Sequence, residues 1–524
     1  MAQAIKPPRS RGAATLVAAG IFLSRVAGFV REHYIAKYLG SSDAADAFRQ
    51  AFRIPNFLQT LFGEGVLSAS FIPIYARLLA RDDEAEAGRV AGAVLAILAL
   101  VTSVLVLLGV VATPLLIDVI AYGFPPAKRE LTIHLARILF PGAGLLVMSA
   151  WCLGILNSHR RFFLSYSVPV LWNLIIIAAL VWFGPRSGED RLAALISWAS
   201  VIGSAVQFLV QLPVVLQLVP ALRISLALHL PNVRTVVRNF GPVFLSRGVV
   251  QISAFIDSML ASPLPGGPAM LGYVTTISGL PVSLFGMSVS ASELPEMSRA
   301  IGDHSEVSAY LRQRLIGGLR RITFLVIPSV VAFLLLGDQI IGAVFQSGKF
   351  TLSDTVWGWG ILAGSGVGLL ASTQGRLYSS AFYALKDTRT PLRFAIIRIA
   401  LTTVLGYLSV RHLPLWLGID PRWGIAGLTA SAGVAGWVEF LLLRRALGHR
   451  IGAEPIGTRY LVRLWIAALA AAGVAWAIKL ELPAMRHPYL PALATLIPYG
   501  ALYLLLADPS QLPRRFQFSA FRKR

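Results

Sequence analysis

Long apolar segments constrain this chain more than any other feature. A helix of about 20 mainly apolar residues spans the hydrocarbon core of a bilayer, and we count fourteen such segments among the 524 residues. They cover residues roughly 13–36, 44–76, 90–117, 131–156, 163–184, 192–219, 236–262, 268–297, 318–337, 354–384, 392–410, 423–443, 460–479 and 488–508. Lipid offers no hydrogen bonds to a backbone, and barrel strands would be shorter and alternating. We therefore predict an all-α polytopic membrane protein.

Composition excludes several other classes of protein. Hydrophobic residues make up 56% of the chain and charged residues 14%, against about 45–50% and about 25% in soluble domains. The single cysteine, Cys152, excludes an internal disulfide and a multi-cysteine metal site. Because the sequence has no Walker A, HExxH or GxSxG pattern, we predict no ATP hydrolysis, no catalytic centre, no metal and no cofactor.

The basic residues report the orientation of the chain. A formal charge of +22 in a soluble protein would suggest nucleic acid, but here Lys and Arg lie between the apolar segments, and we predict no nucleic-acid partner. With the N-terminus placed inside, 29 of these cations fall on the inner side and 10 on the outer side. Because cytoplasmic loops carry the excess of Lys and Arg, both termini are predicted to be cytoplasmic.

Eight arginines lie in or near the apolar segments instead of in loops. They are Arg25, Arg31, Arg49, Arg53, Arg137, Arg247, Arg376 and Arg398. A charge at the centre of a bilayer costs at least ~2.5–3.5 kcal/mol, so each deep arginine needs a partner or a function. The guanidinium fork matches phosphate oxygens and stays charged, so Arg25 and Arg31 predict an anionic ligand. Three that lie nearer span ends, Arg137, Arg376 and Arg398, are expected to reach the interface.

Three carboxylates accompany these arginines. Asp46 and Glu64 lie in the second segment, and Asp257 lies in the seventh. Glu64 stands between Gly63 and Gly65, where glycines allow close helix approach or local unwinding. Each carboxylate could pair with an arginine or couple transport to a cation or proton, and the sequence leaves both roles open.

An internal repeat relates the two halves of the chain. Residues 22–25 (FLSR) recur as 244–247, an offset of 222, and Ala69, Ser70, Pro73 and Arg77 match residues at the same offset. A duplication of six helices gives two copies of equal orientation, an arrangement found in transporters with a substrate site between the copies. We predict lobes over 1–222 and 223–450, two extra helices over 451–510 and a basic tail over 511–524. Arg25 and Arg247 are then counterparts across the lobe interface.

Local motifs carry a family resemblance along nearly the whole chain. They are residues 24–32 (SRVAGFVRE), 45–56 (ADAFRQAFRIPN), 62–73 (FGEGVLSASFIP), 155–157 with 161–162, 169–173, 345–350 (FQSGKF) and 381–391 (AFYALKDTRTP). In this order they resemble the MurJ (MviN) family, the lipid II flippases of bacterial peptidoglycan synthesis.

The resemblance implies a fold, a function and a set of site residues. The fold is that of the multidrug/oligosaccharidyl-lipid/polysaccharide exporter superfamily, with two six-helix lobes and a groove for a polyprenyl tail on the last two helices. The function is the movement of lipid II across the cytoplasmic (inner) membrane by alternating access. Matching the motifs assigns Ser24, Arg25, Arg31 and Arg53 to the lipid pyrophosphate, and Asp46 and Glu64 to acidic positions of the family.

Two departures from the family pattern keep alternatives open. Gln59 and Thr276 occupy positions where family members often have arginine, and we hypothesise that Arg247 supplies the missing charge. An exporter of another polyprenyl-pyrophosphate-linked glycan, a drug exporter, a membrane enzyme acting on such a lipid and a non-transporting scaffold remain alternatives. The predicted partners are the lipid-linked glycan, membrane lipids and a monovalent cation or a proton, with the chain acting as a monomer.

Overall fold

The computed structural model describes residues 11–299, 303–452, 456–482 and 488–507. Regular structure within these ranges is entirely helical, which confirms the all-α prediction. The chain forms two compact units, the first ending at Pro268 and the second beginning at Ala269. The helices up to residue 261 are α1 (Arg11–Leu39), α2 (Asp43–Phe62), α3 (Glu64–Ser70), α4 (Ile72–Leu79), α5 (Glu84–Ile120), α6 (Pro126–Ser158), α7 (Phe162–Ser167), α8 (Pro169–Phe183), α9 (Glu189–Leu218) and α10 (Pro231–Ala261).

The first unit is organised around α6, which packs against α2, α5 and α9. The most apolar stretch of this helix is 83% buried. Its fully buried Trp151 donates a hydrogen bond from the indole nitrogen to the Ala91 carbonyl of α5, at 3.1 Å. Around this core, α1 packs on α7 and α8, and α10 packs on α2, α3 and α5. The apolar middle of this helix thus forms the centre of the first unit.

The second predicted span is broken into three helices, α2, α3 and α4. The first break is at Gly63, where a Cβ atom would lie 2.3 Å from the Gln59 carbonyl oxygen. Only glycine fits this close approach, because no real Cβ atom tolerates such a contact. Of the two arrangements that the glycines around Glu64 allow, local unwinding is therefore the one present. The side chain of Glu64 lies outside what the structure describes.

The second unit is organised around one long helix, α15, which packs against α12, α13, α14 and α18. Its helices are α11 (Gly267–Pro281), α12 (Ser288–Ser298), α13 (His304–Leu335), α14 (Gly337–Phe345), α15 (Leu352–Ala384), α16 (Arg389–Arg411), α17 (Leu413–Leu417), α18 (Gly424–Ile451), α19 (Thr458–Glu481) and α20 (Tyr489–Leu506). A π-helical turn, Val282–Met287, joins α11 to α12. At the crossing of α15 and α18, a Cβ atom on Gly368 would lie 2.3 Å from Gly433 Cα. Paired glycines thus bring the two backbones into contact.

Helix α20, the last of the chain's described helices, forms hydrogen bonds to the backbone of α13 around Pro328. Pro328 has no N–H group, so the carbonyl of Phe324, one turn earlier, lacks its usual helical donor. The hydroxyl of Tyr503 on α20 donates to that carbonyl at 2.6 Å, and Tyr499 donates to the Pro328 carbonyl at 2.6 Å. Tyr503 therefore satisfies a backbone carbonyl that apolar surroundings would leave unpaired, and Tyr499 adds a second hydrogen bond at the same proline.

Twelve helical segments of the described chain are long and apolar enough to cross a membrane. All fourteen predicted segments overlap helices, but α1 and α10, which have 29 and 31 residues, are not among the twelve. The multi-pass helical fold is confirmed, whereas the count of fourteen spans is not.

The boundary between the two compact units differs from the boundary between the two copies of the repeat. The repeat places residue 223 at the start of the second copy, but α10 packs within the first unit, which continues to Pro268. The two boundaries describe different properties, since a repeat reports ancestry and packing reports contact. The predicted tail, residues 511–524, lies outside the described residues.

Replacing Tyr503 with Phe should destabilise the second unit. The substitution removes only the hydroxyl that satisfies the Phe324 carbonyl, and a buried acceptor left unpaired costs about 1–3 kcal/mol. We expect thermal unfolding of the purified protein to begin at a lower temperature. The matched control is Tyr489→Phe, since Tyr489 is 45% exposed. Equal melting of both variants would contradict the proposed role of the hydroxyl.

Candidate functional site

The buried carboxylate of Glu32 joins two arginines from neighbouring helices. Glu32 lies on α1 and is 3% exposed. One of its oxygens accepts from Nη2 of Arg31 at 2.6 Å, and the other accepts from the guanidinium of Arg49 on α2. A charge-assisted hydrogen bond to each oxygen is a strong arrangement. We call Arg31, Glu32 and Arg49 the arginine–glutamate cluster, and its formal charge is one positive unit.

Helix α8 fixes the position of Arg31. Nη1 of Arg31 donates to Oδ1 of Asn173 at 3.0 Å, and its guanidinium carbon lies 4.7 Å from the ring centroid of Trp172. Asn173 is oriented in turn, because its amide nitrogen donates to the Pro169 carbonyl at 3.1 Å. An arginine held by an amide, a carboxylate and an aromatic face loses little freedom when it binds a ligand.

The cluster lies well inside the two helices. Arg31 is eight residues before the end of α1 at Leu39, and Arg49 is six residues after the start of α2 at Asp43. At 1.5 Å per residue, both lie roughly 10 Å from the helix ends that the short connection joins. Their side chains are 19% and 20% exposed, so a ligand could reach them.

Ser24 and Arg25 lie on the same helix nearer its start. Arg25 is six residues before Arg31, about 9 Å along the axis, and its side chain is exposed, whereas Ser24 is half-buried. Of the predicted ligand-binding arginines, the structure therefore brings Arg31 into the cluster and leaves Arg25 one to two turns away on an open part of α1.

A stripe of polar residues on α2 holds α10. The half-buried Arg53 donates to the Ala254 carbonyl and lies over the ring of Phe255, at 5.8 Å from its centroid. One turn earlier, the buried Gln50 accepts from the Ser258 hydroxyl at 2.6 Å. The Gln50 amide also donates to the carbonyls of Ile120 and Ser258, at 3.1 and 3.2 Å. This α2 stripe thus ties the seventh predicted span to the second.

Asp46 continues the α2 stripe and forms a buried ion pair. It is 0% exposed and accepts from the ammonium group of Lys128 on α6, which is 5% exposed. Its carboxylate also accepts from the backbone N–H of Gly266 at 2.8 Å. Lys128 pairs at 2.8 Å with Asp43, a residue that is largely exposed. Of the two roles left open for Asp46, the structure favours charge pairing.

The structure tests the predictions for Glu64, Arg247 and Asp257 less directly. The side chains of Glu64 and Arg247 lie outside what the structure describes. Asp257 is half-buried on α10, three residues after Ala254 and two after Phe255, the positions that Arg53 contacts. The Arg247 hypothesis therefore stays a prediction.

In the second unit, an arginine expected to reach the interface pairs with a carboxylate of a neighbouring helix. Nε of Arg398 on α16 lies 3.1 Å from the carboxylate of Glu439 on α18. The exposure of these two side chains is 34% and 19%. The neighbouring helix thus supplies a carboxylate partner for Arg398, and its reach to the interface stays a prediction.

The motif at residues 381–391 has a structural explanation. The carboxylate of Asp387 accepts from the hydroxyl and backbone N–H of Thr390 and from the N–H of Arg389, and it pairs with Arg450 at 2.7 Å. These contacts, with the Thr390 hydroxyl foremost, lower the pKa of Asp387 to about 2. The preceding Lys386 has a left-handed backbone, with φ of 60°. The motif therefore shapes the turn between α15 and α16.

A groove lies beside α19 in the second unit. Its volume is about 640 Å³, and it is lined mainly by apolar residues of α19, such as Val462 and Ile466, together with Leu506 of α20. Arg459 and Arg463 stand at its wall near the start of α19. An apolar groove with two cations at one end is suited to a lipid chain that carries a negative headgroup.

Sequence reasoning missed several residues of this arrangement. Lys128 is one of the ten cations that the loop count assigns to the outer side, yet it is buried on α6, and the sequence gives no separate signal for Gln50. Asn173 was noted only as part of a motif, and Arg49 was not chosen as a site residue. Arg49 lies on a polar, broken span that follows Arg31 and Glu32 closely in the sequence, and this position is a signal that points to it. The partners of Lys128 and Gln50 are evident only from the tertiary structure.

Comparisons with known proteins agree on one family. A family model described as "Lipid II flippase MurJ" matches residues 35–494. A protein of Rhizobium meliloti (strain 1021), named "Probable lipid II flippase MurJ", is 33% identical over 460 residues, covering 85% of this chain and 82% of the relative. "Lipid II flippase MurJ" of Burkholderia cenocepacia is 30% identical over 514 residues, covering 96% and 97%.

Solved structures show the same fold. "Lipid II flippase MurJ, inward closed conformation" aligns with a TM-score of 0.75 at 22% identity and covers 94% of this chain and 98% of that one. An inward-facing multidrug resistance MATE family transporter of the MOP superfamily aligns with a TM-score of 0.63 at 18% identity, covering 84% and 100%. The all-helical membrane fold expected from the resemblance is thus confirmed.

Replacing Asp46 with Asn should destabilise the protein much more than replacing Asp43 with Asn. Both residues pair with Lys128, but only Asp46 is buried. Removing one member of a buried pair costs about 3–5 kcal/mol, whereas an exposed pair contributes at most about 1 kcal/mol. Thermal unfolding in detergent measures the difference. Equal losses in the two variants would contradict the assignment of Asp46 as the structural partner.

Proposed function

Because the chain belongs to the MurJ family of lipid II flippases, we propose that it moves lipid II from the inner to the outer leaflet of the cytoplasmic membrane. The family is one of flippases, which are transporters and not enzymes. The mechanism we propose is alternating access, in which two lobes rock about a site that holds the pyrophosphate of the lipid.

The arginine–glutamate cluster is the observation that carries this proposal. Lipid II has two adjacent phosphates, and Arg31 and Arg49 present two guanidinium groups that meet at one carboxylate, Glu32. Arginine binds phosphate oxygens bidentately and keeps its charge. Two such groups at one point inside membrane helices are suited to a pyrophosphate and unsuited to a cationic drug, which disfavours a drug exporter.

We propose that further residues extend this site along the path of the cargo. Ser24 and Arg25 line α1 before the cluster, and the exposure of Arg25 supports contact with a mobile ligand. Arg53 would bind the cargo when α10 moves away from the Ala254 carbonyl. Arg247 would supply the positive charge that is missing where Thr276 replaces an arginine of the family. The repeat, which makes Arg247 the counterpart of Arg25, supports this role.

The three carboxylates receive two proposed roles. Asp46 pairs with Lys128, and this buried ion pair supports a role in holding the helices together. For Glu64 and Asp257 we propose coupling to a monovalent cation or a proton, because a second driving force is needed when no ATP site exists. An inside-negative potential would itself favour outward movement of an anion, by ~2.3 kcal/mol per charge per 100 mV across the whole field.

We propose the predicted lobe organisation and orientation as part of the same function. Residues 1–222 and 223–450 would move as the two lobes, and 451–510 would bind the polyprenyl tail. The groove beside α19 supports the latter, since its apolar wall suits a prenyl chain. The charge bias of the loops supports cytoplasmic termini, and a complete site within one chain would suit a monomer.

A paralogous exporter of another polyprenyl-pyrophosphate-linked glycan is the second candidate. Gln59 and Thr276, which replace frequent family arginines, favour it. Both candidates use a pyrophosphate site and a lipid groove, and they differ only in the sugar that is carried.

Complementation of a bacterium depleted of its own flippase should test the function. Expression of the chain should restore lipid II to the outer leaflet, measured by its accessibility to an externally added enzyme. Arg31→Lys and Arg49→Lys keep the charge but lose the planar fork, and each should reduce this accessibility roughly 10- to 100-fold, given that a hydrogen bond to a charged group contributes about 1.5–3 kcal/mol.

Arg299→Lys is the matched control for this assay. Arg299 is 75% exposed and pairs only one turn away with Glu296 at 3.1 Å, so accessibility should stay unchanged. If the wild-type chain is present in the membrane but lipid II does not reach the outer leaflet, the paralogue replaces the flippase as the leading candidate. Full activity of both cluster variants would remove the cluster from the transport site.

A further inference from the structure

We propose that Glu32 is an internal counter-anion, which occupies the arginine pair in the empty transporter and exchanges with the pyrophosphate of the cargo. This inference rests on the proposed function and adds a role for a residue that the site assignment leaves out. In this role Glu32 is a positioning residue: it sets how tightly the arginines hold a phosphate and does not itself bind the lipid.

The geometry of Glu32 is that of a ligand. Each carboxylate oxygen binds a different arginine, one from α1 and one from α2. The oxygens of a phosphate group would bridge the same two guanidinium groups in the same manner. The Glu32 side chain is only 4% exposed, so it is enclosed with the arginines and not directed to solvent.

Charge balance explains why the carboxylate is needed without cargo. Two guanidinium groups at one point inside a membrane would repel each other and carry a large desolvation penalty. One carboxylate reduces the charge of the cluster from two positive units to one. A pyrophosphate brings at least two negative charges, so its presence beside an ionised Glu32 would be repulsive. The two anions therefore compete for the same arginines.

Arg31 has a donor that Glu32 does not use. Its Nη2 donates to Glu32 and its Nη1 to Asn173, but its Nε is buried and has no hydrogen-bond acceptor. Nε and Nη2 form one edge of the guanidinium, to which a phosphate can bind through two parallel hydrogen bonds. A phosphate can thus make one more bond to Arg31 than Glu32 makes, which gives the cargo an advantage in the exchange.

Arg31 can stay in place while its partner changes. Asn173 and Trp172, both on α8, contact Arg31 independently of Glu32. The exchange therefore needs only a rotation of the Glu32 side chain. When the site opens outward, the return of Glu32 to the arginines would help to release the lipid, because it replaces the hydrogen bonds that the departing phosphates made.

Glu32→Gln should separate binding from transport. The amide keeps the shape of the side chain but removes the competing charge, so the purified variant should bind farnesyl pyrophosphate, a soluble prenyl pyrophosphate, at least tenfold more tightly than the wild type. Lipid II flipping by the same variant in proteoliposomes should be several-fold slower, because release no longer has an internal competitor. A residue with a merely structural role would weaken both measurements together.

Three further variants keep the test decisive. Glu439→Gln removes another arginine-paired carboxylate, in the second unit, and should leave the affinity unchanged. Glu32→Gln combined with Arg49→Gln restores the charge of the cluster, and its affinity should return towards the wild-type value. If Glu32→Gln does not fold, Glu32→Asp keeps the charge on a shorter side chain with a weaker hold on both arginines, and its affinity should rise about threefold.

The outcomes distinguish this inference from the proposed function. If the wild type binds farnesyl pyrophosphate and flips lipid II but folded Glu32→Gln binds no more tightly, the counter-anion role is wrong and the flippase function stands. If Glu32→Gln does not fold, unchanged or weaker binding by Glu32→Asp overturns the inference in the same way. If the wild type neither binds the probe nor flips lipid II, both fail.

Discussion

A polar group inside a membrane protein must find its partner within the protein, because lipid supplies none. This constraint explains contacts that the apolar composition alone would not suggest. The carbonyl of Phe324, left without a donor by Pro328, is satisfied by Tyr503 from another helix. The buried Asp46 is matched by Lys128 and a backbone N–H. Interhelical contacts of this kind determine how the apolar helices are arranged.

In the arginine–glutamate cluster, the partners within the protein do not balance every charge or satisfy every donor. Glu32 neutralises one of two arginines, and Nε of Arg31 is left without an acceptor. By contrast, the buried pair of Lys128 and Asp46 is formally neutral. A residual positive charge with an unused donor costs free energy in a folded protein. The proposed function accounts for that cost, because a site that is saturated by its own side chains could not bind an anion.

Sequence reasoning recovered the parts of the structure that depend on composition along the chain. Segment length and apolarity predicted the helices. The glycines on either side of Glu64 indicated close helix approach or local unwinding, and the break in the second span is the latter. Partners on distant helices could not be predicted: the loop-charge count includes Lys128 as an outer cation and gives no sign that this residue is buried against Asp46. The repeat at residue 223 did not reveal that α10 packs with the first unit, because sequence similarity between copies carries no information on which neighbours each copy contacts.

The position of the pyrophosphate in a structure of the chain with bound lipid II tests the central claim most directly. Phosphate oxygens should lie within about 3 Å of guanidinium nitrogens of both Arg31 and Arg49, and the Glu32 carboxylate should have left at least one of them. A pyrophosphate held by other cations, with Glu32 still bridging Arg31 and Arg49, would contradict the assignment of this cluster as the cargo site.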